Sequence, residues 1–321
     1  IVATVSGTSV SFGTPVVFDS SEITRTSTTF DSTNNKVVIV YRDEDNSNYG
    51  SVIVGTVSGT SISFGTPVVF ETSEIGNTYA TFDSGSSQTI IGYMDRGNSE
   101  KGTAVTFAVS PTNLTAENFI GFAGGLVEVS GSANQVIGSE TNFETGGRVE
   151  HVSVAYDENA QKVVIAYRDE TNSKHGTAIV GTVSGTSISF GTAVVFHADA
   201  TNYTSVVYDA TAQKVVIAYQ DDNDSNKGTA IVGTVSGTNI SFGSPTVFDT
   251  DNAFINTVYD SNAQKIVISY NDGGNSDYGT AVVGTVSGAS ISFGTPVVFA
   301  TTDTRINDIV YDSTAQKVVV A

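Results

Sequence analysis

The sequence has no cysteine and no tryptophan, one methionine, five prolines and three histidines in 321 residues. Without cysteine there is neither a disulfide framework nor a thiolate metal site, so stability must come from packing alone. Bases are scarce as well: 14 Lys plus Arg stand against 33 Asp plus Glu, a net charge of −19. Such a chain repels polyanions, which argues against nucleic acid as a partner. No apolar run is long enough to span a bilayer, which argues against membrane insertion, and no basic, apolar, small-residue leader opens the chain. The chain starts at Ile1 in strand-like sequence without an initiator Met and stops at Ala321 in another such run, as expected of a processed chain or a piece of a longer one.

What is present is repetition. "TVSGTSVSFGTPVVF", ending at Phe18, returns ending at Phe70, Phe196, Phe248 and Phe299. A worn copy, "AVSPTNLTAENFIGF", ends at Phe122 and aligns without a gap, with Val109 at the Val57 position and Leu114 at the Ile62 position. The period is about 51 or 52 residues, in the range of repeat architectures.

Each period holds four strand signals separated by turn chemistry. In one period these are "HVSVAYD", "QKVVIAYRD", "GTAIVGTV" and "SISFGTAVVF", with links short enough to make antiparallel neighbours. In "KVVIAY" both parities are apolar, so the second strand is covered on both faces. In "SISF" Ile188 and Phe190 alternate with serines, the mark of a half-exposed strand. Small sheets buried toward one edge and wetted at the other stack radially, which predicts an all-β fold: one six-bladed β-propeller over residues 1–321, with four-stranded antiparallel blades. An open array and a two-sheet sandwich are the alternatives. The repeat is out of phase with the termini, so the N- and C-terminal strands are expected to share one blade and close the ring.

Five copies of a Tyr-x-Asp…Ser-x-x-Gly stretch, such as "YRDETNSKHG" from Tyr167, link the second strand to the third. Asp bonding its own backbone and Gly at positive φ would explain them as hairpin turns. Calcium needs oxygens in a fixed order, which "DRGNSE" and "DGGNSD" do not keep, so no metal is expected. Tyr41, Tyr93, Tyr167, Tyr219 and Tyr270 read as blade-interface aromatics with the hydroxyl near the wet rim. His151, His175 and His197 fall at different places in the unit and share no ligand spacing; no nucleophile elbow, zinc-protease motif or phosphate loop occurs. Neither a catalytic residue nor a cofactor is assigned.

The informative positions are those where the copies disagree. Five residues before the aromatic of the innermost strand stand Arg25, Asn77, His151, Tyr203, Phe254 and Ile306; three before it stand Ser27, Tyr79, Ser153, Ser205, Asn256 and Asp308. Strand alternation would put both sets on one side, around the channel mouth. Arg25, Asn77, Tyr79, His151, Tyr203, Phe254, Asn256 and Asp308 are therefore the candidate ligand-binding residues. Ordinary units have 11 or 12 residues from the last Phe to the next inner-strand aromatic, whereas Phe122 to Tyr156 spans 34. This predicts an insertion over 123–148 on the same rim, and long insertions on such loops are often functional.

The unit seen almost whole from Tyr156 to Phe196 resembles repeats in tail-fibre and virion-associated proteins of marine bacteriophages and related environmental sequences, and "TNLTAENFIGFAGG" from Thr112 is similar to a segment found beside them. The resemblance implies an extracellular or virion-borne appendage, with other appendage subunits as partners, and brings no catalytic residue. The expected function is a non-enzymatic module, structural and recognising a surface glycan or receptor. A purely structural filament or virion subunit is the first alternative. The second is a carbohydrate-active enzyme, which would need a convergent carboxylate pair with one raised pKa.

Overall fold

The computed structural model describes residues 1–6, 9–110, 134–304 and 308–320. Five complete four-stranded units follow one another. In the third, Val149–Asp157, Lys162–Asp169, His175–Ser184 and Ser187–Phe190 pair in chain order, all antiparallel. Val163, Val164, Ile165, Ala166 and Tyr167 are all fully buried, as the two apolar parities of the second strand require. In the outer strand Ile188 is buried while Ser187 and Ser189 are exposed. That strand breaks at Gly191, whose amide bonds the Val180 carbonyl, and resumes at Val194 beside the third strand. Pro67, Pro245 and Pro296 occupy the same break, where an edge strand tolerates a missing donor.

The inner strands Ile23–Asp31, Ile75–Asp83, Val149–Asp157, the second half of Val194–Asp209, Asn252–Asp260 and Ile309–Asp312 lie side by side in chain order. Four apolar cores fill the spaces between the five units, each drawing on two successive sheets. Burying a Val, Ile or Tyr in such a core contributes about 1.5–3 kcal/mol. This radial stacking is propeller-like. Polar ties repeat along the inner strands: Ser27 Oγ accepts from the Ala80 amide, Ser153 Oγ from Val206 and Ser205 Oγ from Thr257, each at 3.1 Å.

Two expectations change. The first concerns the insertion. Asn134–Ile137 pairs Phe107–Ser110 with Ser110 opposite Asn134, and Thr141–Asn142 pairs Thr103 and Ala104. Phe143, not Phe122, then takes the place of Phe70 and Phe196, lying against Gly102 and Tyr167 as they lie against Gly50 and Tyr93, and Gly176 and Tyr219. Residues 134–148 thus belong to a regular second unit. The additional chain, 111–133, lies outside the described residues, as do Leu114 and Phe122. Its flanks Ser110 and Asn134 stand where other units turn through Ser-Gly-Thr, the rim opposite the variable positions. The gapless match to Phe122 failed because hydrogen-bond register, not string length, fixes the strand.

The second concerns the turns. In the Tyr-x-Asp hairpins the left-handed residues are Ser47 and Asn48, Ser99 and Glu100, Ser173 and Lys174, Ser225 and Asn226, and Ser276 and Asp277. The following glycine is a strand residue, and a Cβ at Gly50, Gly102, Gly176, Gly228 or Gly279 would collide with the phenylalanine ring lying on it. The terminal strands form two hairpins. Among the described residues Ala3–Ser6 pairs only Ser9–Phe12, and Ile309–Asp312 only Lys317–Val320. Ile306 lies outside the described residues.

Candidate functional site

Each complete inner strand carries one β-bulge near its start. The register slips between Thr24 and Ser27, Ile75 and Thr78, Glu150 and Ser153, Asn202 and Ser205, and Ala253 and Asn256. An extra residue breaks the alternation, so the positions five and three before the aromatic do not share a face by parity. Instead the bulge itself aims the five-back side chain. Arg25, His151, Tyr203 and Phe254 have φ of 55°, 48°, 47° and 52°. A left-handed backbone is disfavoured for all four residue types, yet it recurs at one structural position. Asn77 sits in the bulge of the second unit at ordinary φ.

These side chains come together. The rings of His151 and Tyr203 lie 5.3 Å apart and those of Tyr203 and Phe254 4.8 Å apart, a continuous run of aromatic rings across three units. Beside it is a cavity of about 210 Å³ lined by Arg25, Asn77, Met94, Arg96, Arg148, Val149, Glu150, His151 and Val152. Burial, with Arg168 nearby, pushes the His151 imidazole down to about 4, so it is neutral at physiological pH. Desolvation raises the Tyr79 phenol, opposed by the charge of Arg25 and aided by that of Asp308. Tyr79 itself packs against the core between the second and third units and does not line the cavity. Asp308 is exposed, and its carboxylate accepts from the Ile309 amide at 2.8 Å; Asn256 is half-buried. Of the three-back set, Ser27, Ser153 and Ser205 are committed to the inter-strand ties above, which separates them from the mouth residues.

The Asp-rich turns are punctuation. Asp43, Asp95 and Asp169 accept the amides of Asn46, Asn98 and Asn172 at 3.1 Å, and Asp221 that of Asp224 at 3.3 Å. The interface tyrosines are fully buried rather than near water. Tyr41, Tyr93 and Tyr167 donate to Asp19, Glu71 and Glu144 at 2.6, 3.2 and 3.2 Å, and the Tyr219 hydroxyl lies 3.3 Å from His197 Nδ1. The sequence signal for this pairing is an acid or histidine directly after the unit's last Phe.

One carboxylate group was not foreseen. Glu71, Asp95 and Glu140 bring oxygens within 4.8 Å of one another. Partial burial of its carboxyl, then a hydrogen bond to Glu71 and the charges of Glu71 and Asp95, push Glu140 up to about 7. Glu71 is already engaged by the Ser73 amide at 2.6 Å and by Tyr93, and Asp95 by Asn98. Glu140 does not line the mouth cavity.

No protein-family model matches the chain, and no curated protein matches it. Among solved structures it is similar to AofleA from Arthrobotrys oligospora, at 10% identity over 92% of this chain and 77% of that one, with a TM-score of 0.53. The likeness is one of fold. A protein of unknown function from Dyadobacter fermentans aligns at 10% identity over 81% of this chain and 78% of its own, with a TM-score of 0.51. The Aleuria aurantia lectin in complex with Fucα1-6GlcNAc aligns at 13% identity over 86% and 79%, with a TM-score of 0.45, too loose to carry weight.

Proposed function

We propose that this chain is a non-enzymatic recognition module, a six-bladed propeller whose terminal strands complete one blade and whose channel mouth binds a surface glycan. An extracellular or virion-borne appendage is the setting that fits the repeat's resemblance. The observation that carries the glycan reading is the run of His151, Tyr203 and Phe254 rings presented from left-handed bulges. Strained backbone tends to be retained where a side chain has work to do. Aromatic faces cover the apolar faces of sugar rings, while a few fixed polar groups, here Arg25 and Asn77 of the cavity wall, take hydroxyls. An enzyme would need two free carboxylates facing the mouth, but Glu150 and Glu170 are bound by Arg168 and Asp308 is turned to its own backbone. The strongly raised acid, Glu140, is elsewhere.

The test is a glycan-surface binding assay on the wild type, Tyr203→Ala, Tyr203→Phe and, on the far rim, Lys162→Ala. Loss of a sugar-stacking ring weakens binding by roughly tenfold or more, so Tyr203→Ala should fall that far while Tyr203→Phe and Lys162→Ala bind like the wild type. Binding lost only with the far-rim change would overturn the assignment. Binding to no glycan would favour a purely structural subunit.

A further inference from the structure

We infer that the cavity between the first three units takes the carboxylate of a single acidic sugar, of the hexuronate or sialate class. This rests on the glycan reading above and deepens it. The sequence holds six arginines, Arg25, Arg42, Arg96, Arg148, Arg168 and Arg305. The five that are described all stand on the mouth rim, at inner-strand starts or Tyr-x-Asp hairpins. The lysines that open the second strands, such as Lys36 and Lys162, stand on the far rim. In a chain where acids outnumber bases 33 to 14, the cavity wall reverses the ratio, with Arg25, Arg96 and Arg148 against Glu150 alone.

The wall's charges are unevenly satisfied. Glu150 is shared between Arg148 and Arg168, Arg148 also pairs Glu100 at 3.6 Å, and Arg96 pairs Glu74. Arg25 forms no ion pair among the described residues, although its field reaches Glu44, Tyr79 and His151. A guanidinium offers a planar fork of donors matched to a carboxylate. Asn77 adds a neutral amide, and His151 an uncharged imidazole that neither repels nor neutralises the pair. The cavity is of a size for one sugar ring. Because charge is screened within about 8 Å at physiological salt, the local arginines govern a bound monosaccharide, while the net negative charge still disfavours a dense polyanion.

Isothermal titration with glucuronate, N-acetylneuraminate, glucose and acetate separates the possibilities, on the wild type, Arg25→Gln and Tyr203→Ala. At least one acidic sugar should bind roughly tenfold tighter than glucose. Arg25→Gln should bring that ratio near one, whereas Tyr203→Ala should weaken both sugars together. Glucose binding as well as the acidic sugars would overturn this inference and leave the glycan reading standing. Acetate binding as tightly as the acidic sugars would reduce the cavity to a simple anion site and overturn it too. Binding of none of the four would defeat both.

Discussion

The left-handed bulges can be tested through backbone energetics, independently of any ligand. At Arg25, φ is 55° and no ion pair is formed among the described residues, so Arg25→Ala and Arg25→Gly remove the same side chain and differ only in the backbone. A left-handed residue with a Cβ costs roughly 1–2 kcal/mol, while glycine in a strand costs about 0.5–1 kcal/mol relative to alanine through unfolded-state entropy. Arg25→Gly should therefore be the more stable variant by about 0.5–1 kcal/mol. Thr28, exposed in the same strand and paired regularly with Ile39, supplies the control: there alanine should win by about 0.5–1 kcal/mol. Tyr203 adds the rings. Losing contacts at 5.3 and 4.8 Å, each worth about 0.5–1.5 kcal/mol, costs Tyr203→Ala roughly 1–3 kcal/mol, of which Tyr203→Gly should recover the backbone part. Urea unfolding, read by two probes to check that the transition is two-state, gives the order. If glycine is the worse choice at Arg25 by the margin seen at Thr28, the bulge is not left-handed and the argument from strain to function fails.

Phe143 is 4% exposed against Tyr167 and Phe190, so Phe143→Ala should destabilise by about 3–5 kcal/mol in the same urea assay; a loss below about 1 kcal/mol would return the register to Phe122. Glu140 has a folded-state value of about 7 against an ordinary 4.5, so the folded protein holds that proton more tightly. Its contribution to stability is complete below about pH 4.5 and is lost as pH rises through 7, with solvent screening at this exposed residue holding the change to about 1 kcal/mol. Melting of wild type and Glu140→Gln from pH 4 to 8 should show the difference growing with pH in favour of glutamine, and parallel curves would mean that the Glu71 contact is not made.

The unit was legible because its signals are local. Two apolar parities in "KVVIAY", one in "SISF", and Asp three residues before the amide it accepts each report a strand face or a turn without reference to any neighbour. The bulges were not legible, because a left-handed site is recognised in sequence by Gly or Asn and here holds Arg, His, Tyr and Phe. Variation among copies found those positions, but alternation assigned them the wrong partners, pooling Ser27, Ser153 and Ser205 with residues that do something else. The insertion was misplaced for a related reason. "IGSETNF" keeps Gly138 and Phe143 five apart, as Gly65 and Phe70 are, with Glu144 following as Glu71 does; Phe122 has neither mark. Gly138 and Gly65 mark the break in the outer strand, and the five residues from it to Phe143 or Phe70 bring the ring onto Gly102 or Gly50 of the third strand, so that spacing carries more information than the length of a matching string. With the register so fixed, the described flanks of the additional chain, Ser110 and Asn134, stand at the far rim. The cavity is therefore lined from the inner-strand starts and the hairpins beside them, and the bulge positions Arg25, Asn77, His151, Tyr203 and Phe254 are where otherwise similar units differ.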